Sequence, residues 1–115
     1  MENSAKKNNI IDIDSVLEFV SKVEDSKKFK RDLRLVFAHI VEETGELARS
    51  IYLYEREAAR VDYPDPAVIG RELIDIIFLS IYLTDILGIN LPEQIINRRI
   101  EIAKTYGLIE EAPDA

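Results

Sequence analysis

The 115 residues hold 22 Asp and Glu against 15 Lys and Arg, a formal net charge of −7, with 47% hydrophobic and 32% charged positions. That length supports one domain around one modest core, and the acidic balance argues against a nonspecific grip on the phosphates of a nucleic-acid polymer. The lack of cysteine removes disulfides and thiolate metal sites and fits a cytoplasmic protein.

Residues 1–11 are polar, lack the apolar stretch of a signal peptide and read as a flexible leader. A helical domain is expected over 12–107, followed by a loose acidic tail over 108–115. Between leader and tail, apolar residues recur at three- and four-residue intervals without strand-like alternation, which predicts an all-α domain of four helices. The first helix is expected to start near Asp14, to run through Val16, Leu17, Phe19, Val20 and Val23, and to end before the charged stretch around Ser26.

The second pattern extends from about Phe29 to Ala59. Gly45 costs about 1 kcal/mol of helix propensity there, which suggests a kink or a close packing contact. The segment VDYPDP then breaks the pattern. Asp65 is suited to cap a third helix with Pro66 at its first position, and Gly88 should end it. This third segment is the most apolar of the chain, yet Arg71, Glu72, Asp75 and Asp85 make it a poor membrane span. Asn90 is suited to cap a fourth helix, with Pro92 in its first turn, Glu93 three residues beyond the cap, and Gly107 at its end.

Candidate chemistry lies in the acids. At about 100° per residue, Glu42 and Glu43 flank the direction of Glu46, so EETGE projects three carboxylates to one side of the second helix. Val36, Ile40, Leu47, Ile51 and Tyr54 all fall within roughly 80° of Glu43, placing it in the apolar stripe. On the third helix Glu72 shares its direction with Val68, Ile69, Ile76, Leu79, Leu83 and Ile86, and Asp75 stands beside it. A single ExxE or ExxD is usually a solvated face. Two such motifs, each centred on the apolar stripe of successive helices, call for a compensating cation, because unpaired buried carboxylates are costly. Arg49 and Arg71 project away from Glu43 and Glu72. With one histidine and no cysteine, an all-oxygen site favours magnesium over zinc. A di-iron bundle would need Glu-x-x-His pairs on two helices, and His39 is the sole histidine. It lies one turn before Glu43, where it can support that carboxylate or be merely exposed. Tyr52, Tyr54, Tyr82 and Tyr106 are expected to pack in the core rather than to stack on a base.

The spacing Glu-Glu-x-x-Glu followed by Glu-x-x-Asp, within VEETGELARSI and RELIDIIFLSIYLTDILGINLP, resembles the MazG family of all-α nucleotide pyrophosphohydrolases, a group related to dimeric dUTPases and dCTP pyrophosphatases. The resemblance spans about Arg34 to Tyr106. It implies cleavage of a nucleoside triphosphate between its α- and β-phosphates, giving a monophosphate and pyrophosphate, in house-cleaning of the nucleotide pool. It also implies that Glu43, Glu46, Glu72 and Asp75 hold magnesium, with manganese as a substitute, and that Glu42 is the general base. Arg34, Arg98 and Lys104 are the implied phosphate contacts, although the family's lysine-then-asparagine pattern in the last helix appears here only as Arg98 and Ile102. The alternative is a catalytically idle helical module of the same kind, serving interaction or regulation.

The third helix is apolar almost all round, since Leu73, Ile74, Ile77, Phe78 and Ile81 cover the side opposite or flanking Glu72. One small bundle cannot easily bury both faces. A four-helix bundle-like fold assembling through this helix as a homodimer or tetramer is therefore expected, as the family resemblance also implies.

Overall fold

The computed structural model describes residues 11–26, 32–56 and 65–108. Among the described residues the fold is all-α: α1 (Ile13–Ser26), α2 (Leu33–Arg56), α3 (Pro66–Ile86) and α4 (Leu91–Thr105). No helix among them is long and apolar enough to cross a membrane. Apart from residues 11 and 108, the expected leader and tail lie outside this set, as do Phe29 and Ala59, the expected limits of the second helix.

Each helix begins at a side-chain cap. Asp12 accepts the Ser15 amide at 2.8 Å, so α1 starts one residue before Asp14. Asp32 accepts the amides of Arg34 and Leu35 at 2.9 and 3.3 Å and caps α2, which starts at Leu33. Asp65 accepts the Ala67 amide at 2.8 Å with Pro66 in the first turn, as expected. Asn90 accepts the Glu93 amide at 3.1 Å.

The ends of α3 and α4 are set by glycine. Gly88 and Gly107 adopt φ of +67° and +69°. Ile89 and Leu108 donate back to the carbonyls of Thr84 and Ala103 at 2.9 and 2.8 Å, while Gly88 and Gly107 donate to Asp85 and Lys104. These are paired Schellman closures, which satisfy otherwise orphaned carbonyls and require a left-handed residue. By contrast, α2 runs unbroken through Gly45, where an added Cβ would meet nothing within 4 Å. The glycine therefore makes no close packing contact within the described chain.

Helix α3 is the hub. It packs against α1, α2 and α4, most extensively against α2. Val20, Ile81 and Tyr82 form the buried core, with Val16, Leu17, Val36, Phe78, Ile86 and Leu91 packed around them, so all four helices contribute. Phe19 meets Phe78 edge-on at 6.0 Å between ring centroids, the preferred aromatic geometry. Phe78 and Ile81, expected on an unpartnered face, are thus covered by α1 within the chain. Leu73, Ile74 and Ile77 remain exposed. Of the tyrosines expected in the core, only Tyr82 is buried, while Tyr52, Tyr54 and Tyr106 are exposed.

Candidate functional site

Helices α2 and α3 carry all five acids, and a hydrogen bond fixes how the two helices meet. The Ser50 hydroxyl on α2 donates to Glu72 Oε1 on α3 at 2.8 Å. Val36, near the start of α2, packs against the cluster of Ile81 and Tyr82 toward the end of α3, whereas Ser50 near the end of α2 meets Glu72 near the start of α3, so the two helices run antiparallel. One turn away from the connection, Glu46 falls at the level of Asp75 and Ile76. Glu43, a further turn on, falls at the level of Leu79.

Within that register the acids divide by burial. Glu43 is largely covered, its side chain 18% exposed, and its Oε1 lies 3.2 Å from His39 Nε2 one turn earlier. Glu72 is half-buried, and its Oε2 is fully shielded with no hydrogen-bond partner among the described residues. The inward placement of these two acids agrees with their stripes: Val36, Ile40, Leu47, Ile69, Ile76, Leu83 and Ile86 are half-buried and Leu79 is buried, while Ile51, Tyr54 and Val68 at the stripe ends are exposed. Glu42, Glu46 and Asp75 are exposed.

Among the described residues, no three carboxylates or histidines come together closely enough to hold a metal ion by themselves. The donor chemistry nevertheless fits magnesium. All five acids offer hard oxygen, and magnesium keeps several waters while binding through one or two carboxylates plus substrate phosphates. The orphaned Oε2 of Glu72 is an acceptor that a cation or its bound water would satisfy, and leaving it bare is costly.

The proposed phosphate contacts are not gathered. Arg34 sits in the first turn of α2, roughly 14 Å along the axis from Glu43 at 1.5 Å per residue. Arg98 on α4 pairs with Glu101 of its own helix at 2.8 Å, and Lys104 is exposed in the last turn of α4. No hydrogen bond or ion pair among the described residues joins Arg34, Arg98 or Lys104 to the five acids.

Ser50 is the residue that sequence reasoning passed over. The signal was present: it is seven residues after Glu43, hence on the same face, and it is a polar side chain inside an apolar stripe. Without knowledge of which helix faced that stripe, its partner was not legible. No family model matches the sequence, and no curated protein or solved structure is detectably similar to it.

Proposed function

We propose that the chain is a magnesium-dependent nucleoside triphosphate pyrophosphohydrolase of the MazG kind, cleaving between the α- and β-phosphates to give a monophosphate and pyrophosphate. The observation that carries the reading is one largely covered carboxylate on each of two packed helices, Glu43 and Glu72, the second with a shielded oxygen that has no partner among the described residues. Beyond that, the reading rests on the spacing of the acids.

Magnesium held by these carboxylates would neutralise phosphate charge and would lower the pKa of a bound water. The protein's part is positioning. Glu43 and Glu72 present carboxylates from the covered faces of α2 and α3, and Glu46 and Asp75 from the adjoining rim. Glu42 is exposed on α2, where it accepts the proton of a water attacking the α-phosphorus. The new oxygen–phosphorus bond forms as the α–β bridging bond breaks, and pyrophosphate leaves without a covalent intermediate. Arg34, Arg98 and Lys104 serve the phosphates through rearrangement of their exposed side chains or across an assembled oligomer.

Assembly is part of the reading. Leu73, Ile74 and Ile77 expose an apolar strip on α3, and a homodimer or tetramer burying it completes the bundle. A second reading, an idle helical interaction module, is favoured by the lack of a three-donor cluster among the described residues. Purified protein incubated with magnesium and a panel of canonical and damaged triphosphates decides between them. Pyrophosphate release that collapses in Glu46→Gln and Glu72→Gln, with assembly intact, supports the enzyme. No hydrolysis of any triphosphate, together with assembly that responds to magnesium removal, supports the module.

A further inference from the structure

We propose that Ser50 is a positioning residue for the cation site, acting through Glu72; the inference rests on the magnesium-dependent reading above. Ser50 is half-buried in the α2–α3 contact, and its hydroxyl reaches across to Glu72 Oε1 at 2.8 Å. The other carboxylate oxygen, Oε2, is shielded and unpartnered among the described residues. The two oxygens of one carboxylate are thus assigned different work. Oε1 is held by a neutral donor on the facing helix, which sets the carboxylate's rotation, and Oε2 keeps its lone pairs for a cation or a cation-bound water.

A carboxylate that were simply a buried structural acceptor would be expected to have both oxygens satisfied, since nearly all shielded polar atoms in folded proteins find partners. A serine suits the positioning task. Its single hydroxyl proton goes to one oxygen, and it brings no positive charge that would compete with a divalent ion. The same hydrogen bond ties α2 to α3 at Glu72, the helix pair that carries Glu43, Glu46 and Asp75. Hydrogen-bonding partners that orient metal ligands commonly contribute 10- to 100-fold in metal affinity or activity.

The test measures Mn2+ binding by the full chain, using the paramagnetic signal of free ion, alongside the rise in melting temperature on adding Mg2+. Ser50→Ala is expected to weaken Mn2+ binding by about tenfold and to shrink the Mg2+-induced rise in melting temperature. Ser50→Thr, which restores the hydroxyl, is expected to recover both. The proposal is overturned if Ser50→Ala binds Mn2+ as tightly as the parent protein while the parent binds the ion and hydrolyses triphosphate; the enzyme reading then stands without it. It is likewise overturned if both variants lower the melting temperature of the metal-free chain and leave Mn2+ affinity unchanged, the mark of a purely structural bond. A parent protein that binds no Mn2+ and cleaves no triphosphate removes the enzyme reading and this inference together.

Discussion

The imidazole Nε2 of His39 lies 3.2 Å from Glu43 Oε1, one helical turn apart on α2, so the chain's sole histidine is tied to one of the two half-buried acids among the five candidates on α2 and α3. Glu43 and Glu72 are therefore each restrained at one oxygen, the first from its own helix and the second from the facing one. His39→Ala removes the restraint on Glu43 with little loss of packing, because the histidine is exposed. Under the proposed pyrophosphohydrolase reading, triphosphate turnover is expected to fall by about tenfold with the helical circular-dichroism spectrum unchanged. Unaltered turnover would make the contact incidental to catalysis.

The core tolerates little erosion. Ile81 is 8% exposed and sits with Val20 and Tyr82 where α1 meets α3. Ile81→Ala should destabilise the chain by about 2–5 kcal/mol, from lost transfer energy and the cavity left behind. Ile77→Ala, four residues earlier but exposed, should cost much less in a monomer. Urea denaturation of the two variants side by side checks the contrast.

Acid should weaken the start of α1 in a defined direction. The Ser15 amide and hydroxyl bonds to Asp12 hold its carboxyl below the ordinary value of 3.8. Because the folded value is depressed, the cap contributes fully above about pH 3.8 and is lost as pH falls through the lower folded value. The stability difference between the parent and Asp12→Ala should therefore be constant at neutral pH and shrink in strong acid. Denaturant titrations at both extremes measure it, and a difference that grows in acid would contradict the assignment.

Assembly offers a direct reading of the α3 surface. Leu73, Ile74 and Ile77 are exposed at 44%, 46% and 49% on one side of the helix. Under the dimer or tetramer proposal, Ile74→Glu places a charge in a buried apolar contact. Sedimentation should then report a monomer where the parent is larger. A parent that sediments as a stable monomer at micromolar concentration would end the oligomer proposal outright.

Local physics explains what the sequence made legible. Asp65, Asn90, Gly88 and Gly107 mark boundaries because each solves a problem confined to a few residues, an unpaired amide or a left-handed turn. Glu43 and Glu72 were legible as inward residues because burial follows helical period. Tyr52 and Tyr54 were not, since their exposure depends on how closely neighbouring helices approach. The Ser50–Glu72 bond was hidden for a related reason: its register across two helices is a tertiary fact that no single-helix projection contains. The family resemblance assigns Arg98 to a phosphate, and in the fold it pairs with Glu101, three residues along the same helix.

Gly45 and Gly88 should respond oppositely to the same substitution. Gly45 lies within α2 with open space around its missing Cβ, so Gly45→Ala should stabilise the isolated chain by about 1 kcal/mol through helix propensity. Gly88 closes α3 at a φ of +67°, where an L side chain costs roughly 1–2 kcal/mol, so Gly88→Ala should destabilise despite the room available. Thermal melts of both variants check the signs. Gly45 also bears on function, because it stands inside EETGE between Glu43 and Glu46. If Gly45→Ala stabilises the helix but reduces triphosphate turnover or assembly, the missing Cβ serves close approach by substrate or a second copy. If it stabilises and leaves both unchanged, no such approach occurs there.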